Sequence, residues 1–487
     1  MTEDPCGGNP ESASTRRTFL TTAGAVGAVG LAGCAGGGGS GGSADGGDGG
    51  DGGNGENDAS GGSTGGSSSS ERVELEFWHI FGDVLGGHLS DIVSRFNDQD
   101  NGITVNLTSK GGYTPTFQAT MSAVNAGNAP HIGHFSTGDG VAAIASDQFV
   151  PVSDLLGDRI DFQERFIAPL TDYFKFPGSD KFFSMPMNNS TAIMNYNRDM
   201  FAEAGLDPDS PPRTFAEVRQ VSEQLVAETD AEHGCAWANV RWFVGQWHGW
   251  DDAFMYDMEN GRQAPEQGPS EINFDQEPAR TIYAWWKGML DDGLYMPTQQ
   301  GWGDASGAAM QSWKVGITLG STAGLGRTAT IAEEASEPFE LGAAPLFSPT
   351  GDRFGNRIGG GSLFVPEQAL ASDAEERAVV EFFDWITSPE PQAEWFKRTG
   401  YFPINADSRS LLEEEGFFEE NPAWTAGFRS LEESETGPTT RMSIVPQLPK
   451  INQDLMDTWT AMRQGTPVDE VLANQKETID GILQDNR

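Results

Sequence analysis

Val73-Glu74-Leu75-Glu76-Phe77-Trp78 is the stretch that decides the fold, because of the pattern that follows it. Its apolar and polar residues alternate, as on a strand with one buried face. Leu89, Ile92, Val93 and Phe96 then recur at three- and four-residue steps, which predicts a helix. Ile103-Thr104-Val105-Asn106-Leu107 reads as a second strand, Phe117 to Ala126 as a second helix, and Ala129 to Phe135 as a third strand. Strand, helix, strand, helix, strand is the order of a parallel α/β sheet. Ligands of such sheets sit beyond the carboxyl ends of the strands.

Downstream, aromatic residues occur throughout, and the length from Glu71 to Arg487 is too great for one simple core, so two lobes are expected. No internal repeat is visible. The second lobe should begin near Asn188, with a strand over Ala192-Ile193-Met194-Asn195-Tyr196 and a helix starting near Asn197. Pro211-Pro212 precede Thr214, a good N-cap for a helix over Phe215 to Ala227. Tyr283 to Leu290 reads as another amphipathic helix. So does Glu375 to Thr387, with Val379, Val380, Phe382, Phe383 and Ile386 on its core face.

Upstream, Thr15-Arg16-Arg17-Thr18-Phe19-Leu20 is a twin-arginine stretch leading into a short Ala, Val, Gly and Leu run from Thr21 to Gly33. A bilayer-spanning helix needs about 20 apolar residues, so the run reads as a secretory signal of the twin-arginine type. Leu31-Ala32-Gly33-Cys34 then resembles the lipobox of exported lipoproteins, in which the cysteine becomes the first mature residue and carries the lipid. The plainer alternative is that Cys34 is an ordinary small residue of a signal peptide. Ala35 to Ser70 are almost wholly Gly, Ser, Asp and Asn, with nothing to bury, and read as a flexible tether. The expected organisation is a signal over 1–33 and a lipid-anchored, disordered tether over 34–70.

Thirty Lys and Arg stand against 72 Asp and Glu, a formal net charge of -42. Nucleic-acid binding needs the opposite sign and is excluded. The acidic excess, with Arg outnumbering Lys, suggests a halophilic protein. At 1 M salt the Debye length is about 3 Å, and self-repulsion is screened. Of three cysteines, Cys6 lies in the signal and Cys34 is the anchor, which leaves Cys235 as a buried small hydrophobe and no disulfide framework.

No enzyme signature is present: there is no HExxH, no Gly-x-Ser-x-Gly and no P-loop lysine motif. His131 and His134, three apart in an apparent strand, should point to opposite faces, so no metal is expected. A pair of carboxylates suited to acid/base work is not excluded by spacing. Trp237, Trp242, Trp247 and Trp250 share one segment with Gly245 and Gly249, in loops as we read it. Each tryptophan has two readings, core filler or stacking platform for a sugar or polyol, and core filling is the commoner outcome.

Several stretches together carry a family resemblance. They are Phe77-Trp78-His79, Lys110-Gly111-Gly112-Tyr113, Ala126-Gly127-Asn128-Ala129-Pro130 and Pro186-Met187-Asn188-Asn189-Ser190-Thr191. Tyr196-Asn197-Arg198-Asp199, Ile358-Gly359-Gly360-Gly361-Ser362-Leu363 and Thr399-Gly400-Tyr401-Phe402-Pro403-Ile404 continue the series. The globular part resembles the extracellular solute-binding proteins of ABC importers, in the maltose-binding-protein-like group and its glycerol-phosphate branch.

The resemblance implies a two-lobed periplasmic-binding-protein fold of α/β class, with a ligand cleft between the lobes and several hinge crossovers. The expected division is 71–187 and 319–362 for lobe 1, and 188–318 and 363–487 for lobe 2. It also implies ligand contacts. Tyr113 and Tyr401 would offer hydroxyls across the cleft, Ser190 would sit at the crossover, and Ser321 at the return. Gly360 would present a backbone N–H where a side chain would block an anion. Arg441 would grip phosphate oxygens in two places, unless it is a surface ion pair. Thr137 stands where the family has a glutamate that holds glycerol hydroxyls, which alters the polyol half of the site. Trp242 is the candidate stacking residue.

The implied function is capture of glycerol 3-phosphate or a glycerophosphodiester and delivery to a membrane permease, with no catalysis and no cofactor. The expected protein is a monomer on the extracellular face, held to the membrane by its lipid. A sugar or oligosaccharide is the alternative cargo, and a tethered extracellular hydrolase or an adhesive role are the alternatives of another class.

Overall fold

The structure is a computed structural model that describes residues 72–172, 174, 181–238, 241–298, 304–351 and 353–485. The expected signal, Cys34 and the tether lie outside the described residues. In chain order the strands are β1 (Val73–His79), β2 (Ile103–Ser109), β3 (Ile132–Ser136), β4 (Phe149–Val150), β5 (Met185–Pro186) and β6 (Ala192–Asn197). They continue with β7 (Cys235–Trp237), β8 (Tyr295–Pro297), β9 (Ile317–Ser321), β10 (Leu341–Pro345) and β11 (Gly361–Pro366). Two sheets result. One runs β2-β1-β3-β11-β4, with β5 on β11; the other runs β10-β6-β9-β7-β8.

The opening motif behaves as its pattern predicts. β1 pairs with β2 in unbroken parallel register from Val73↔Ile103 to His79↔Ser109, and β3 lies parallel on its other side. The helix Asp83–Asn97 between them buries Leu89, Ile92, Val93 and Phe96. The second helix starts at Tyr113 rather than Phe117. Pro115 falls in its first turn, where an N–H would have no intrahelical partner, so the proline does not delay the start. Gly127 ends the helix in the left-handed region at φ 77. Over the same sheet, the helix Asp373–Ile386 lays Phe382 edge-on against Phe77 and Phe96, with ring centroids 6.2 and 5.3 Å apart.

The second sheet is built around β6, antiparallel to both β9 and β10. The helix Phe215–Glu228 opens on a capping box: Glu217 N–H donates to Thr214 Oγ1 and Thr214 N–H donates to Glu217 Oε2, each at 3.1 Å. The helix expected over Tyr283 to Leu290 runs from Glu277 to Asp291, because Ala279 and Ile282 extend its buried stripe. Its Trp286 stacks on Trp459 of the helix Leu448–Arg463, centroids 4.5 Å apart. Cys235 is fully buried in this core, and burial pushes its thiol pKa up.

Two expectations need correction. Strand pairing places β9 and β10, and so 317–345, in the second sheet, whereas β11 and the helix Asp373–Ile386 belong to the first. The expected assignment of 319–362 to lobe 1 and of 363 onward wholly to lobe 2 is therefore not what the strands do. Gly320 and Ser321 bring the chain back to the crossover opposite Ile193 and Ala192, but the chain changes sheets only at Gly359–Gly361. The tryptophan segment is not a loop either. It is a helix, Arg241–Trp250, in which Phe243, Trp247 and Trp250 recur on one buried face.

Candidate functional site

The chain crosses between the sheets where β5 gives way to β6, and the residues around that crossover form one polar cluster. Asn188 is its centre and has no exposed surface. Its Oδ1 accepts from the Gly361 N–H at 3.0 Å and lies 2.8 Å from His134 Nε2. Because a backbone N–H can only donate, that oxygen is fixed as an acceptor, and His134 must hold its proton on Nε2. Burial holds the His134 pKa down to about 3, so the ring is neutral. Asn188 Nδ2 donates to Tyr113 Oη at 2.8 Å. Burial raises the Tyr401 hydroxyl pKa, and the Asn188 amide draws it partly back.

Both tyrosine rings are held. Tyr401 stacks on Trp395 at 5.8 Å and 5°, while Tyr113 meets His134 edge-on at 5.8 Å. The neighbouring glycines are there because the cluster is tight. Gly360 has φ +117, and a Cβ on it would stand 2.0 Å from the Asn188 carbonyl oxygen. A Cβ on Gly361 would stand 2.6 Å from the Tyr113 ring. Gly360 is thus required by the backbone crossing itself, whatever its N–H does for a ligand.

On the second-sheet side the chemistry turns cationic. Arg357 is 3% exposed, and its side chain lies in a groove cut by Gly245 and Gly249 of the helix Arg241–Trp250. Its Nε donates to the Thr439 carbonyl at 3.0 Å, and Nη1 and Nη2 reach Ser443 Oγ and the Ala253 carbonyl at 3.5 Å. No carboxylate among the described residues pairs with it. Burial, and then the charge of Arg241, push its pKa down to about 9. The backbone of Arg357 is clamped by Gln246, which donates to its carbonyl at 2.7 Å and accepts from its N–H at 2.8 Å. Arg357 therefore ties the crossover to the 439–443 loop that carries Arg441.

The structure brings most of the sequence-predicted residues to this crossover. Ser190 is bridged to Gly359 in both directions, N–H to carbonyl, at 3.1 and 2.7 Å. Trp242 is half-buried, with its indole edge over Gly359. Trp237, Trp247 and Trp250 are core. Ser321 pairs with Ala192, and its Oγ accepts from the Ala323 N–H at 3.2 Å. Thr137 opens the helix Thr137–Ala145, directly after Ser136, the β3 residue paired with Gly361. Arg441 is half-buried and lines a small cavity with Asn356, Ile358 and Thr440.

The sequence reading missed Asn188, His134, Gln246 and Arg357 as site residues. The one signal for Arg357 was the glycine pair at 245 and 249, which only makes sense as a groove once the segment is helical. His131 and His134 do point apart, as expected. His131 Nδ1 accepts from the Glu76 N–H at 2.9 Å, away from Asn188. Among the described residues no cluster of three His, Cys, Asp or Glu could hold a metal ion.

Two α/β sheets joined at a crossover lined by hydroxyls, backbone N–H groups and cations make a solute receptor. The chain belongs to the bacterial extracellular solute-binding protein family, which matches residues 91–426. It is accordingly a substrate-binding component of ABC-type transport and not an enzyme. The sn-glycerol-3-phosphate-binding periplasmic protein UgpB of Escherichia coli (strain K12) is 28% identical over 403 residues, covering 80% of this chain and 88% of its own length. UgpB of Yersinia pestis bv. Antiqua is likewise 28% identical, over 404 residues, with the same coverage of 80% and 88%.

Among solved structures, UgpB from Mycobacterium tuberculosis in complex with glycerophosphocholine matches with a TM-score of 0.67 at 19% identity, over 85% of this chain and 98% of that one. The sugar-binding protein MalE from Xanthomonas citri matches with a TM-score of 0.68 at 17% identity, again over 85% and 98%. The shared fold is the two-lobed one that the sequence led us to expect.

Proposed function

We propose that this receptor is an extracellular lipoprotein, exported by the twin-arginine route and anchored through Cys34. It captures glycerol 3-phosphate or a glycerophosphodiester and passes it to a membrane permease. The observation that carries the ligand class is Arg357. In a chain of net charge -42, a buried guanidinium beside the crossover has Arg241 as a neighbour and no carboxylate partner among the described residues. A buried charge left uncompensated is costly, and an anionic ligand beside it offsets that cost.

In this reading Arg441 forks onto phosphate oxygens. Tyr113, Tyr401 and Ser190 supply hydroxyls, Gly360 its N–H, Trp242 a face for the carbon chain, and Thr137 and Ser321 hydroxyls for the polyol. The ligand favours the closed form of a hinge, and the closed form docks on the permease as a monomer. Titration calorimetry in molar salt with glycerol 3-phosphate, glycerophosphocholine, maltotriose and inorganic phosphate tests it. Heat from the organophosphates is expected. Heat from maltotriose alone would overturn the ligand class in favour of a sugar, the reading that Trp242 over Gly359 also suits.

A further inference from the structure

We infer that Asn356 is a specificity-determining residue, whose unpaired buried amide makes the small cavity beside Arg441 a seat for one hydroxyl group of the ligand. This rests on the reading of Arg441 as a phosphate grip: the hydroxyl is then carried on the second ester arm of a glycerophosphodiester.

Asn356 is 4% exposed, yet neither Oδ1 nor Nδ2 of its side chain has a hydrogen-bond partner among the described residues. Buried amides are normally paired, and leaving one unpaired is costly. The amide is not simply loose, because its backbone is held on both sides. The Asn356 N–H donates to Ser434 Oγ at 3.0 Å, and the Glu435 N–H donates to the Phe354 carbonyl at 2.6 Å. Between them, a Cβ on Gly355 would stand 2.6 Å from the Glu435 carbonyl oxygen and 2.8 Å from Thr440 Cγ2. The strip 354–356 is pressed onto the 434–440 loop, so the wall that presents the amide is preformed.

Two hydroxyls on the same wall are already engaged. Ser434 Oγ accepts from Asn356 and donates to the Ser430 carbonyl at 2.6 Å. Thr440 Oγ1 accepts from the Gly437 N–H at 3.0 Å and donates to the Gly437 carbonyl at 2.9 Å. The Asn356 amide is left to face the cavity it lines with Arg441 and Glu435.

Size and polarity then select the occupant. The cavity holds about 20 Å³, room for about one water-sized group. An amide offers an acceptor and a donor, and a hydroxyl answers both. A trimethylammonium neither donates nor fits. An ammonium donates only and would set its N–H groups against Nδ2. A second anion is opposed by the Glu435 carboxylate on the same lining.

Titration calorimetry in molar salt with glycerophosphoglycerol, glycerophosphocholine and glycerol 3-phosphate tests the inference. Wild type should bind glycerophosphoglycerol, whose second arm carries hydroxyls, about 10-fold more tightly than glycerophosphocholine. Asn356→Leu keeps the shape and removes both hydrogen-bonding atoms. It should level the two diesters and leave glycerol 3-phosphate within about 2-fold. No preference in wild type, or a preference that survives Asn356→Leu, overturns the inference while the proposed cargo stands. The wild-type comparison needs no variant to fold.

Thermal unfolding of the ligand-free protein separates a ligand seat from a structural role. Asn356→Leu should melt at or above the wild-type temperature, because it removes an unpaired buried amide. A lower melting temperature would mean that the amide and a trapped water serve the fold, and overturns the inference. A wild-type chain that binds maltotriose but no organophosphate would fail the proposed cargo alone. Asn356→Leu is then read with maltotriose, where weakening of about 10-fold supports a seated hydroxyl and unchanged affinity overturns it.

Discussion

The two sides of the crossover solve one problem with opposite means. On the first-sheet side a neutral amide, a neutral imidazole and two phenols form a hydrogen-bonded cluster that carries no net charge. On the second-sheet side Arg357, Arg241 and Arg441 carry charge, and direction matters less than potential. Under the proposed function a phosphate ester would answer to both sides, offering charge to one and hydrogen-bonding oxygens to the other. In that reading, specificity is the product of two coarse filters.

The comparison breaks most decisively at Arg441. Arg441→Ala should weaken glycerol 3-phosphate by on the order of 100-fold while leaving any maltotriose heat unchanged, by calorimetry in molar salt. Equal loss of both ligands would show that Arg441 supports the fold instead of gripping an anion.

Arg357→Met sharpens the contrast, because it should move binding and stability in different directions. Removing a buried charge that has no carboxylate partner among the described residues is neutral or stabilising by about 1–4 kcal/mol when the volume is kept. Organophosphate affinity should nevertheless fall, by about 10-fold. Paired thermal unfolding and titration read both. A loss of stability would mean that the ties to Thr439 and Ser443 outweigh the charge.

Gly360→Ala tests the neutral side through its backbone. With φ +117 and a Cβ site 2.0 Å from the Asn188 oxygen, it should lose about 1–3 kcal/mol in urea denaturation. Native-like stability would show that the crossing is looser than drawn.

The smallest effect concerns pH. Burial holds His134 to about 3 and His248 to about 4, whereas an unfolded chain protonates histidine below about 6.5. The stability they contribute is complete above pH 6.5 and drains as pH falls towards 4. The slope is at most about 1.4 kcal/mol per pH unit for each ring. His248→Phe should flatten the slope between pH 6.5 and 4.5 relative to wild type. An unchanged slope would assign the acid sensitivity to carboxylates.

What was legible in the sequence follows physical range. The β1-helix-β2 motif, the Thr214 cap and the Phe382 face are encoded by neighbours within a few residues, and all appear as read. Which sheet a strand joins is not a local property. Gly320-Ser321 and Gly359-Gly360-Gly361 look alike as crossovers, and only pairing with Ala192 on one hand and Ser136 on the other separates them. The tryptophan segment failed for another reason. Two glycines argued for a loop on propensity, but packing overrode it, since Phe243, Trp247 and Trp250 bury one face and Gly245 and Gly249 admit Arg357 on another. The predicted contacts that converge at the crossover came through the resemblance. The buried residues beside them, Asn188 and His134, carry no local signature at all.

That groove has a genetic consequence. A Cβ at Gly249 would fall 2.9 Å from the Gly355 carbonyl and 3.4 Å from Arg357 Cγ, and one at Gly245 only 3.1 Å from its guanidinium. Positions 245, 249 and 357 therefore cannot drift independently: enlarging a glycine evicts the arginine, and shortening the arginine leaves a slot. In a selection for growth on the transported solute, the defect of Gly245→Ala should be suppressed by shorter residues at 357. Related sequences should change all three positions together or none.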